Sequence, residues 1–255
     1  MPTAPSRITL EPAFVLHRYD YTESSVIVEL LTRHHGRVAL MAKGAKRPAS
    51  NFRPVLLPMQ PLRVTYSGDG DVRTLKSAEW VGGYAMPAGN ALLTGFYVNE
   101  VVMRLLQRDD PHEWLYDDYA RTISVVAQNN GLMSAAVRAF ELLLLQNMGW
   151  LPSLSLVSQT QQGLQEGMAY NLNNDVGLQP TTHSDTASLD GAQWLALDAA
   201  MTTSADGQAF ASLLTLLSQN GAITQALRPM LRGLLQYHSG QPLKTPQLLT
   251  SLQQL

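Results

Sequence analysis

Residues 36–53, GRVALMAKGAKRPASNFR, decide how the chain is read. Alternating apolar residues over 37–43 predict a strand, and Gly44, Pro48 and Asn51 then predict a loop over 44–54. Arg37, Lys43, Lys46, Arg47 and Arg53 are cationic, and no acid interrupts them. No Asp or Glu occurs anywhere between Glu29 and Asp69, whereas Arg33 and Arg63 add to the positive set. A stretch of one sign repels itself unless something anionic lies against it.

Working outward, residues 13–18 and 25–32 are short apolar or β-branched runs separated by a polar turn, and His34-His35-Gly36 predicts a tight turn into the third strand. Residues 55–66, interrupted by Pro58 and Pro61, and residues 71–81, reached through Ser67-Gly68-Asp69-Gly70, complete five strands. The prolines place the fourth strand at an edge or a bulge. Five short strands with a basic loop between the third and fourth predict a small barrel of the OB type, with an SH3-like barrel also compatible.

Beyond Pro87 the apolar period becomes helical. Leu93, Phe96, Tyr97, Val101 and Leu105 mark a helix over 90–108. Asp110-Pro111-His112-Glu113 has the composition of a helix start, Asp as cap and Pro in the first turn, for a helix running to 128. Val137, Phe140, Leu144 and Met148 form the stripe of a third helix, which Gly149 can end in the left-handed conformation. Residues 151–189 are rich in Ser, Thr, Gln and Asn and predict a small irregular β insert, with a strand at 168–172 and a turn at 173–177. Helices resume over 191–201, 206–219 (Asp206 as cap) and 222–237, where Pro229 predicts a kink or a start at Arg228. The fold class is therefore α+β: a barrel over 1–84, helices over 85–150, the insert over 151–189 and helices over 190–255.

Charge divides along the same line. Residues 1–80 carry 11 Lys/Arg against 7 Asp/Glu, a charge of +4; residues 81–255 carry 7 against 13, or −6, so the overall −2 conceals a basic and an acidic half. A polyanion-binding module joined to a body with another task is the expectation. The absence of cysteine excludes disulfides, thiolate nucleophiles and cysteine-ligated metals. The six histidines (17, 34, 35, 112, 183 and 238) show no metal-ligand spacing, so no metal is expected. No run approaches the roughly 20 apolar residues that span a bilayer, and no signal-peptide pattern opens the sequence, which predicts a cytoplasmic location. Asp109-Asp110 and Asp117-Asp118 are read as caps and solvated faces. Their rival use, in a metal-dependent phosphoryl-transfer or hydrolytic enzyme, is the weaker reading, because no phosphate-loop or nucleophile-elbow motif accompanies them.

The ordered parts resemble the RecO family of bacterial recombination mediators. The resemblance is carried by the opening AFVLHRYDYTESSVIVELLTRHHGRVALMAKGAKR, by Leu75-Lys76-Ser77-Ala78-Glu79, by Tyr97-Val98-Asn99-Glu100, by Arg138-x-Phe140-Glu141, and by Gly240-x-Pro242-Leu243-Lys244-Thr245. It implies an OB fold on a helical domain, binding of single- and double-stranded DNA, strand annealing, and loading of the recombinase onto DNA coated by single-strand-binding protein. It also implies RecR and the acidic C-terminal tail of the single-strand-binding protein as partners, no cofactor, and a nucleoid-associated place in a bacterium. Many members carry a four-cysteine zinc module where this chain has residues 151–189. Here that module would be a cysteine-free counterpart of a zinc ribbon, and metal binding is not carried over.

The predicted DNA-facing surface comprises Arg37, Lys43, Lys46, Arg47, Arg53, Arg73 and Lys76, since each phosphate neutralised releases condensed counterions. Of the aromatics Tyr19, Tyr21, Phe52 and Tyr66, Phe52 is the predicted base-stacking ring, because it sits between polar Asn51 and Arg53. The resemblance implies that Arg138, with Val137 and Leu145 beside it, receives the tail of the single-strand-binding protein, the guanidinium fork matching a terminal carboxylate. An adaptor for RNA or ribosomes remains the alternative on the same barrel.

Overall fold

The computed structural model describes residues 7–83, 85–128, 130–182, 187–202 and 208–245. Strand β1 (Arg7–Asp20) is long because it serves two neighbours. Its second half pairs antiparallel with β2 (Val26–Thr32) and its first half with β4 (Pro61–Ser67). Irregularities at Ile8/Glu11 and Val15/His17 bend it between the two. β2 pairs with β3 (Gly36–Ala42), β3 runs parallel to β5 (Val72–Trp80), and β5 pairs back onto β4. The order β1-β2-β3-β5-β4 therefore closes on itself as an OB-like barrel. Alternation along each strand fills the interior, with Val15, Val28, Leu30, Leu40, Val64 and Tyr66 all buried.

The fourth strand is shorter than expected. Residues 55–60 form turns instead, with Leu56 and Met59 buried and the Met59 amide donating to the Val15 carbonyl (3.1 Å). Their apolar character reflects a plug against the barrel, and the strand begins only at Pro61.

Helices α1 (Asn90–Leu105) and α2 (Glu113–Gln128) group with the barrel in one compact unit, residues 1–128 with 244–255; residues 129–243 form a second. Within the first unit Phe14 meets Tyr116 and Tyr119 at ring separations of 5.3 and 5.0 Å. The Asn99 amide donates to the Leu16 carbonyl (2.8 Å) and accepts from the Tyr119 hydroxyl (2.6 Å), which ties β1 to both helices through a buried polar bridge. Asp110 is not the cap of α2: the helix starts three residues later, and the Asp110 carboxylate faces the His112 ring at 3.0 Å. Glu100 of α1 accepts from the amides of Lys244 and Thr245, both at 2.8 Å, and from the Thr245 hydroxyl at 2.7 Å. Burial raises the Glu100 pKa, but these donors outweigh it and hold the carboxyl below its ordinary range.

The second unit is built on α3 (Met133–Asn147), in which every residue from Ala135 to Leu145 is buried. This is a helix enclosed all round rather than a surface helix with one stripe. It packs on α5 (Gln208–Gln219) and α6 (Gly221–Ser239) and ends at Gly149, whose φ of 72° is left-handed. α6 passes through Pro229 without restarting. Pro229 lies on the exposed face, where water can satisfy the carbonyl it leaves unbonded, while Leu227, Leu231 and Leu234 hold the helix to its neighbours. α4 (Gly191–Met201) opens on a capping box of Asp190 and Gln193. The expected Asp206 cap lies outside the described residues. The insert contains strands β6 (Ala169–Asn173), β7 (Gly177–Pro180) and β8 (Leu189–Asp190) in the order β7-β6-β8. Tyr170, Leu172, Leu178 and Trp194 are buried at its centre. No described helix is long and apolar enough to cross a membrane.

Candidate nucleic-acid interface

The loop after β3 is held from beneath and projects charge outward. Ala45 is buried in the barrel core, and Phe52 packs against the same core. The Lys46 amide donates to the Ser24 carbonyl (2.9 Å), and the bonds Arg47 N–H to Gly44 O and Ser50 N–H to Arg47 O (both 3.0 Å) wind the loop into successive turns. Gly44, at φ 71°, makes the first of these turns, a conformation that costs other residues about 1 kcal/mol or more. With the apolar side chains turned in, Lys43, Arg47 and Arg53 are left exposed.

Lys43 and Arg47 line a groove of about 620 Å³ with Lys76 of β5, and Ser50, Asn51, Ser77 and Glu79 supply polar groups around them. Among the described residues Lys43, Arg47, Arg53 and Lys76 have no ion-pair partner. Glu79 is the one acid on the groove lining, so the three cations there leave a net positive field. Asn51 and Ser50 stand where they can bond a phosphate oxygen once a cation has brought it near.

The remaining predicted cations are differently placed. Lys46 contacts the Thr22 carbonyl (2.9 Å) and Asp20 (3.1 Å), which secures the loop to the β1–β2 turn. Arg37 is largely buried: its guanidinium pairs with Glu29 at 3.1 Å and donates to the Leu106 carbonyl at 3.0 Å. Glu29, only 1 % exposed, is also paired with Arg108. Arg73 pairs with Asp109 at 2.7 Å. Arg37 and Arg73 therefore serve acids of the first unit itself, Glu29 of β2 and Asp109 of the segment after α1. Phe52 is half-buried: it packs against the core and also borders the groove beside Lys43, Arg47 and Lys76. Tyr66 is buried, and burial pushes its hydroxyl up to about 12. The exposed aromatics of the barrel include Tyr19 and Tyr21. Period-two spacing puts His17 and Tyr19 on one face of β1.

In the second unit Arg138 is 8 % exposed, with Nη1 lying 2.8 Å from Glu141 Oε2 on the next turn. Its Nε is buried and has no hydrogen-bond partner among the described residues. Val137 and Leu145, expected beside a docked tail, lie in the core with almost no accessible surface, since α3 is enclosed on all sides. The paired aspartates are engaged too: Asp117 with Arg33 (2.9 Å), Asp118 with Arg121 (2.8 Å), Asp109 with Arg73 and Asp110 with His112. Burial raises the Asp118 pKa. No cluster of three His, Asp or Glu suited to a metal occurs among the described residues.

A closed barrel of the OB type, with a groove whose cations have no ion-pair partner among the described residues, and a helical unit in the same chain place the protein in the class of OB-like barrel proteins. The chain belongs to the RecO family: the model for Recombination protein O N terminal matches residues 7–84, and that for Recombination protein O C terminal matches residues 86–247. Similar proteins include the DNA repair protein RecO of Albidiferax ferrireducens, 49 % identical over 254 residues and covering 99 % of both chains. The DNA repair protein RecO of Variovorax paradoxus is 49 % identical over 258 residues, again covering 99 % of both. That of Polaromonas naphthalenivorans is 50 % identical over 254 residues, or 99 % of this chain and 100 % of the relative.

Proposed function

We propose that this protein is a DNA-repair recombination mediator that holds single- and double-stranded DNA in the barrel groove, anneals complementary strands, and helps load recombinase onto DNA coated by single-strand-binding protein. The observation that carries the reading is the placement of Lys43, Arg47 and Lys76 on one groove without ion-pair partners among the described residues, with Arg53 exposed on the same loop. Annealing is opposed by repulsion between two phosphate backbones, and a cationic surface lowers that barrier without covalent chemistry. Arg138 is the proposed contact for the tail of the single-strand-binding protein, supported by its unpartnered Nε and by the fit of a guanidinium to a terminal carboxylate. RecR is the further protein partner, and the β7-β6-β8 sheet stands in the place of the family's zinc module.

The test is anisotropy titration of labelled single-stranded DNA across salt concentrations, with unlabelled RNA of the same sequence as competitor. The triple variant Lys43→Ala, Arg47→Ala, Lys76→Ala is expected to flatten the slope of log K against log[salt] by about 2, since each phosphate that a cation neutralises on a single strand accounts for about 0.7. An unchanged slope rejects the groove, and stronger competition by RNA than by DNA favours the adaptor reading.

A further inference from the structure

The outer wall of the barrel carries a second surface beside the cationic groove. Cross-strand register places Tyr19 opposite Ile27, Ile27 opposite Met41, and Met41 opposite Thr74, one row running across β1, β2, β3 and β5. The flanking residues Val26, Val28, Leu40 and Ala42 point into the core, so this row faces outward. Adjacent strands lie about 4.8 Å apart, which makes the row about 14 Å wide. Tyr19 is 43 % exposed, and Ile27 and Met41 are partly exposed. The His17 ring stands against Tyr19, edge to face, at 4.4 Å and keeps its ring in place.

Cations border this apolar row. Lys43 and Lys76 each follow a member of the row, Met41 and Thr74, by two residues along the chain. Arg108 lies along the neighbouring row, where it and Arg37 together more than neutralise the buried Glu29 opposite His17. The other nearby acids are Asp20, paired with Lys46, Glu79 on the groove lining with Lys43 and Lys76, and the exposed Glu23 and Asp71 at the margins. An aromatic ring and apolar side chains flanked by lysines match a ligand with flat apolar faces on an anionic backbone. An all-apolar protein partner would leave the border cations without purpose.

We propose that the Tyr19–Ile27–Met41 row is a base-stacking platform for single-stranded DNA, with Tyr19 stacking an unpaired base while Lys43 and Lys76 hold the adjoining phosphates. This rests on the DNA-binding reading above and goes beyond it. The groove binds any phosphate backbone, whereas the row takes only bases that are free to unstack, so it distinguishes single strands from duplex. In annealing it would hold one strand with its bases splayed rather than collapsed.

The experiment compares full-length wild type, Tyr19→Ala and Tyr19→Phe for binding to a labelled oligothymidylate and to an abasic oligonucleotide of equal length. Wild type is expected to favour the base-bearing strand. Tyr19→Ala should lose roughly tenfold of that affinity, the scale of one base stack, while the salt slope and the abasic affinity stay within about twofold. Tyr19→Phe, which keeps the ring, should retain the preference. Equal losses on both oligonucleotides, or no loss on either as expected for a face that serves a protein, overturn the platform. Wild type binding neither oligonucleotide would instead overturn the DNA-binding reading itself, so the two failures are distinguishable.

Discussion

The two ends of β3 hold cations in opposite circumstances. At its start, Arg37 is sunk against Glu29 and the Leu106 carbonyl; just past its end, Lys43 and Arg47 open onto a groove with no acid paired to them among the described residues. Only six positions separate Arg37 from Lys43, so local composition cannot account for the difference. What decides it is which distant segment each meets. The segment after α1 brings Leu106 and Arg108 to the Glu29 site and Asp109 to Arg73, and it brings no acid to the loop. Positive charge thus serves structure at one end and remains available at the other.

Arg37→Ala attacks the structural end hardest. Breaking a buried ion pair by removing one partner costs ~3–5 kcal/mol, and because Arg108 still faces Glu29 the expected loss is at the lower limit, about 3 kcal/mol. Denaturant unfolding would show it, and the salt slope of DNA binding at temperatures where the variant is folded should match wild type. A flattened slope there would mean that Arg37 contacts phosphate after all, which breaks the division. Arg47→Ala should do the reverse: stability within about 0.5 kcal/mol, as for exposed side chains, with the salt slope reduced by about 0.7. A large stability loss would show that the loop's cations are also structural.

Much of this architecture is legible in the sequence. Alternation marks the first three strands and the fifth to within a few residues at most ends, because each buries one face in the barrel. It finds β1 only from Ala13 onward, because the first half of that strand, Arg7–Leu10 above all, is largely exposed and pairs with a strand more than 50 residues away. Residues 55–60 read as strand because a loop that plugs a barrel is as apolar as one. For the site, net charge picks out Lys43, Arg47 and Lys76, which the fold gathers on one groove, whereas Arg37 and Arg73 look the same in sequence and differ only through acids brought by tertiary packing. Phe52 shows a further limit, since its polar neighbours in sequence say nothing of a ring that packs on the core and borders the groove at once.

The clasp on Glu100 makes the second unit an insertion. The chain leaves the first unit after Gln128, builds residues 129–243, and returns at Lys244, so a protease cut at the first crossing would leave the inserted unit covalently joined only to the returning segment, which hydrogen bonds to Glu100 hold on the first unit. The return crossing is fastened by a carboxylate whose folded pKa lies below its unfolded value. Its contribution is complete above the unfolded value, about 4.3, and is lost as pH falls through the folded one. Hydrogen exchange should accordingly show Lys244 and Thr245 amides protected at neutral pH and released in acid, leaving the inserted unit tethered by a single fixed crossing.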